Sequence, residues 1–129
     1  MILSLGKVIY SLTLLKWSFK VALSTKEKSA LKHFKAGLCQ ALGNMLIELK
    51  LFGSKARGND RPDSDIDVLV IVTDEDWHIC DVVYGIATDI LLQTDISISP
   101  KVISKNQLEQ LKKEDTFFLR NISRDAIVV

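Results

Sequence analysis

Hydrophobic spacing divides the chain into alternating helical and strand-like stretches. Ser24-Thr25-Lys26-Glu27 reads as a capping box, with Ser24 as N-cap and Glu27 three residues on. Leu31, Phe34, Leu38, Ala41 and Leu42 then recur at helical spacing, and Gly43-Asn44 stops the run. From Leu46 to Phe52, Ile47, Leu49 and Leu51 alternate with Glu48 and Lys50, the pattern of a half-buried strand. Gly53-Ser54 breaks it. Lys55 to Arg57 make one helical turn closed by Gly58, and Asn59 to Asp63 form a polar loop. Ile66 to Val72 is an unbroken apolar run, the mark of a central strand covered on both faces.

Thr73-Asp74 caps the next helix, in which Trp77, Cys80, Val83, Tyr84, Ala87, Ile90 and Leu91 keep a helical period. That places the Trp77 stripe in the core, while Asp74-Glu75-Asp76 is a solvated helix start complementing the macrodipole. Asp95 to Ile103 alternates as a third strand. Ser104 and Gln107 form a second capping box opening a helix to about Lys113, and Phe117 to Ile122 makes a last short helix. The expected order, α-β-α-β-α-β-α, is that of an α/β (α+β) domain with a small mixed sheet backed by helices.

Residues 1–23 stand apart from this pattern. They are rich in Leu, Ile, Val, Ser and aromatics, carry no acid, and are interrupted by Lys7, Lys16 and Lys20. The longest uncharged stretch after Lys7, Val8 to Leu15, is far short of the ~18–20 residues of a membrane-spanning helix. A cleavage signal for export is weak. Two readings stand: an amphipathic segment that docks on a partner or membrane surface, or a leader added by an upstream start codon. Because the first helix carries its own start signal, the compact domain is expected to span 24–129, with 1–23 as an apolar N-terminal extension.

Composition narrows the functional classes. The 129 residues are 47% hydrophobic and 26% charged, which suits one globular domain. Seventeen basic residues face sixteen acidic ones, a net charge of +1, so no basic excess points to direct nucleic-acid binding. Cys39 and Cys80 lack zinc-site spacing and read as two buried free thiols, which fits a reducing cytoplasmic setting. His33 and His78 are isolated and read as surface or rim residues. Function must come from a local site.

That site is expected between Gly53 and Val70. Asp65 and Asp67, two apart at the head of an apolar strand, point to the same face ~6.5–7 Å apart along the chain. Their carboxylates can converge on a cation, and hard oxygen ligands suit Mg²⁺ or Mn²⁺. Gly53 at a strand end lets the backbone approach a ligand closely. The helical turn after it presents N–H groups to a phosphate, and the Ser54 hydroxyl adds a donor. Phosphate donors beside a carboxylate metal site are what nucleotide-dependent phosphoryl transfer requires. The P-loop pattern is absent.

Gly-Ser, ten intervening residues and Asp-x-Asp resemble the signature of the DNA polymerase β-type nucleotidyltransferase superfamily. The string GSKARG…PDSDIDVLV is similar to its minimal nucleotidyltransferase branch, small proteins commonly paired with HEPN-domain toxins. The resemblance runs from about Ser24 to Val129, including the closing Phe118 to Ile122 stretch. It implies a polymerase β-like nucleotidyltransferase fold, Gly53 and Ser54 binding a nucleotide triphosphate, and Asp65 and Asp67 binding metal. It also implies a third carboxylate on a following strand, for which Asp95 is the matching position; a solvent-facing strand-start acid is the other reading. Arg57 belongs to the motif and reads either as a nucleotide contact or as a loop-structure residue.

The activity implied is Mg²⁺-dependent transfer of a nucleoside monophosphate, AMP from ATP, to a hydroxyl. No length remains for an acceptor-binding domain, so the acceptor is expected on a partner protein, a HEPN toxin modified on Tyr, Ser or Thr. The alternative is a catalytically inactive antitoxin of the same fold that acts by binding its partner. Oligomer formation stays open.

Overall fold

The computed structural model describes residues 23–58, 64–74, 76–114 and 116–129. The expectations for residues 1–22 and for the Asn59–Asp63 loop lie outside the described residues. Helix α1 (Thr25–Leu42) starts at the capping box: Ser24 Oγ accepts from the Glu27 N–H at 3.1 Å, and Glu27 Oε1 accepts from the Ser24 N–H at 3.0 Å. Its inward stripe is Ala30, Leu31, Phe34, Leu38 and Leu42, while Ala41 stays exposed. Gly43, at φ +54°, ends it.

After a 3₁₀ turn, Gly43–Met45, come β1 (Leu46–Phe52), the short helix α2 (Gly53–Arg57) and β2 (Ile66–Val72). Helix α3 (Trp77–Thr94), β3 (Ile98–Ser104), α4 (Lys105–Glu114), α5 (Phe117–Asp125) and β4 (Ile127–Val128) complete the order. The sheet order is β3-β2-β1-β4: β1 is antiparallel to β2 and β4, and β2 is parallel to β3 through the α3 crossover. The expected mixed sheet backed by helices is therefore observed.

Strand β2 is covered on both faces, as its unbroken apolar run requires. Ile66, Val68, Val70 and Val72 join Leu49 and Leu51 under α1 and α3. Leu69 and Ile71 join Ile103 and Ile122 on the opposite face, with Phe52, Leu108, Leu111 and Phe118 packed around them. Alternation puts Asp67 on this second face, with Leu69 and Ile71.

Several expectations need correction. Trp77 is 70% exposed, and Tyr84 and Leu91 are exposed too. The buried stripe of α3 is Ile79, Val83, Ala87 and Ile90, so the helical reading merged two adjacent stripes into one. The α3 N-cap is Asp76, whose side chain accepts from the His78 N–H at 2.9 Å, rather than Thr73-Asp74. Cys39 is exposed and Cys80 half-buried, so neither is a core thiol. The third strand begins at Ile98: α3 continues to Thr94, and Asp95 ends it in the left-handed conformation, φ 61°. Strand β4 is too short to show a hydrophobic period, and pairing with β1 alone creates it.

Leu23, the last residue of the expected extension, is buried in the core cluster under α1. Leu23→Ala is expected to cost about 2–3 kcal/mol in urea unfolding. A change below about 0.5 kcal/mol, the usual range of surface substitutions, would return Leu23 to the extension.

Candidate active site

Antiparallel pairing brings the end of β1 to the start of β2, with Phe52 opposite Asp67. The chain leaves β1 through Gly53 at φ +75°, a backbone conformation that glycine alone adopts without strain. A Cβ built on Gly53 would run into Asp67 Oδ2 and lie 3.1 Å from Asp67 Cγ and 3.2 Å from its Cβ. The Asp67 carboxylate thus lies directly against the Gly53 backbone. No side chain fits between them.

Asp67 is half-buried and Asp65, just ahead of the strand, is exposed. Parallel register places Ser99 of β3, also exposed, beside Asp67. The Ile66 N–H donates to the Ser97 carbonyl at 3.0 Å and fixes the entry of β2 against β3. Phe52 borders the site and meets Phe118 edge-on at 6.2 Å between centroids. Lys101, two residues beyond Ser99, holds its ammonium 4.5 Å from the Phe118 ring centroid.

The structure therefore brings together Gly53 and Asp67, with Asp65 at the same sheet end. Ser54 and Arg57 follow Gly53 in α2, but their side chains lie outside what the structure describes. Asp95 does not open a strand: it is the exposed C-cap of α3, three residues before β3, and its N–H donates to the Leu91 carbonyl at 2.9 Å. Among the described residues, no group of three or more His, Cys, Asp or Glu side chains gathers to hold an ion. Two carboxylates at an open sheet end fit a magnesium-type ion, which commonly takes one or two protein carboxylates plus substrate phosphates. Asp65 and Asp67 are the residues that would hold it.

Sequence reasoning missed the pair beneath this turn. Lys55 is buried, and its Nζ lies 2.7 Å from Glu27 Oε2. The available signal is a lysine flanked by Gly-Ser and Ala-Arg.

Residues 44–129 match the family model described as Polymerase beta, Nucleotidyltransferase, and the chain belongs to that family. It is a nucleotidyltransferase. A relative from Methanocaldococcus jannaschii named "Putative protein adenylyltransferase MJ0604" is 34% identical over 103 residues, covering 80% of this chain and 97% of the relative. Among solved structures, a toxin-antitoxin with AMP-PNP aligns at TM-score 0.48 and 19% identity, over 74% of this chain and 68% of that one. A toxin-antitoxin MntA-HpeT variant aligns at TM-score 0.48 and 19% identity, over 80% of this chain and 70% of that one. Among the described residues, no helix is long and apolar enough to cross a membrane.

Proposed function

We propose that the chain transfers AMP from ATP to a hydroxyl of a partner protein, using Mg²⁺ or Mn²⁺ at Asp65 and Asp67. The contact between the Gly53 backbone and the Asp67 carboxylate carries this reading. It sets a phosphate-approach position against a metal-binding group, so one nucleotide triphosphate can meet both. A bound divalent ion would neutralise charge on the triphosphate and its departing pyrophosphate. Gly53 and Ser54 would hold the terminal phosphates, with Arg57 as a further contact. The name of the 34%-identical Methanocaldococcus jannaschii relative supports adenylyl transfer to protein. The resemblance of GSKARG and SDIDVLV to minimal nucleotidyltransferases supports a HEPN toxin as acceptor.

One observation favours a second reading. Asp95 caps α3 instead of standing on β3, and among the described residues no three such side chains gather to hold an ion. An antitoxin that acts by binding alone needs no third acid. The two readings separate on incubating the chain and its cognate partner with labelled ATP and Mg²⁺. Label on the partner supports transfer, whereas a stable complex without label supports binding alone.

Asp95→Asn refines the test, because asparagine suits the left-handed cap at least as well and only the charge is lost. The variant is expected to keep ATP-dependent thermal stabilisation. If Asp95 orients or deprotonates the acceptor, transfer falls by about 10²-fold; unchanged transfer removes Asp95 from the mechanism.

A further inference from the structure

Lys55 sits in the middle of the Gly53–Arg57 turn, where an amine beside Gly-Ser invites assignment as a phosphate ligand. The structure turns it the other way. Lys55 is 1% exposed, with its Nζ 2.7 Å from Glu27 Oε2. The Glu27 side chain is itself 10% exposed, and its other oxygen, Oε1, accepts from the Ser24 N–H at 3.0 Å. One carboxylate therefore caps α1 and neutralises a cation from α2. Ala56, next along, is also buried, so two consecutive residues of the turn are anchored inward. The Gly58 N–H closes the turn onto the Lys55 carbonyl at 3.3 Å.

Resting on the assignment of Gly53 and Ser54 to the nucleotide phosphates, we propose that Lys55 is a strut and not a phosphate ligand. Glu27 is then a positioning residue for the nucleotide site. A helix of five residues has too few internal bonds to hold its own shape, so its placement depends on tertiary anchors. A buried ammonium is tolerated only with a partner. Without the Glu27 charge, Lys55 loses its ionic anchor on α1, and the hold on the α2 backbone loosens. Since Gly53 lies against Asp67, that movement shifts the phosphate-binding backbone relative to the carboxylates.

Glu27→Gln keeps an Oε1 acceptor for the Ser24 N–H and removes only the charge. Adding Lys55→Met removes the cation and leaves an unbranched apolar chain in the same place. Amide hydrogen exchange over residues 53–58, KM for ATP and kcat are measured for the full chain, Glu27→Gln and Glu27→Gln/Lys55→Met.

Glu27→Gln is expected to speed exchange across α2 and raise KM about tenfold, with kcat within about threefold. The double variant is expected to restore slow exchange and bring KM back to within about threefold of the parent. A phosphate ligand predicts the reverse, since the double variant lacks the amine and would bind ATP no better than Glu27→Gln. That result, or exchange across α2 indifferent to Glu27→Gln, overturns the proposal. If the parent chain shows no dependence on ATP, the nucleotide reading falls, while exchange across α2 still decides whether the pair holds the turn.

Discussion

Gly53→Ala is expected to abolish nucleotide-dependent transfer. Two costs meet at this position. The residue has φ +75°, where an L side chain costs about 1–2 kcal/mol. The added methyl also has no room, because it would occupy the place of Asp67 Oδ2. Either the turn rises off the sheet end or the Asp67 side chain rotates away, and both separate the proposed phosphate-binding backbone from the proposed metal-binding carboxylate. A misplacement on the order of 1 Å can cost about 10²-fold in rate, which sets the minimum loss expected here.

Gly43→Ala supplies the control. Gly43 also has positive φ, at +54°, but nothing lies within 4 Å of a Cβ there. Its alanine variant should lose about 1–2 kcal/mol in urea unfolding and keep the transfer rate. If Gly53→Ala transfers label within threefold of the parent chain, Gly53 has no part in the site.

The parts of this fold legible in the sequence are those whose cause is local. The capping boxes at Ser24 and Ser104 are formed as their spacing demands, because donors and acceptors lie three residues apart. The apolar run Ile66–Val72 announces a strand with two covered faces, and each of its parities packs in a different cluster. The convergence of Gly53 with Asp67 could be anticipated only through the resemblance, since the chain from Gly53 to Asp65 separates the two strands and the pairing of Phe52 with Asp67 alone closes the gap.

What stayed illegible depends on tertiary context. Asp95 fits a strand by alternation, but a left-handed cap needs only one residue and leaves no periodic trace. Trp77 and Tyr84 share helical spacing with Val83 and Ala87, and only the position of the sheet decides which stripe is buried. The Glu27–Lys55 pair joins two segments far apart in the sequence. No spacing rule relates them.

Asp67→Asn and Asp65→Asn are expected to differ in degree, for a reason visible in their surroundings. Asp67 is half-buried on the Gly53 backbone and flanked by strand neighbours on both sides, whereas Asp65 is exposed ahead of β2. Water can replace part of what Asp65 gives a cation, but it cannot readily enter the Gly53–Asp67 contact. Both substitutions keep side-chain size and remove one negative charge from the proposed metal site, whose charge balance would require it. In thermal unfolding, Mg²⁺ with ATP should stabilise the parent chain by mass action, and the shift should require both ligands. Asp67→Asn should eliminate the shift and lower transfer by about 10³-fold or more, and Asp65→Asn should leave a fraction of each. Equal losses would mean that exposure does not distinguish the two ligands. A full shift in the double variant would move the metal away from β2 altogether, and with it the site built on Gly53.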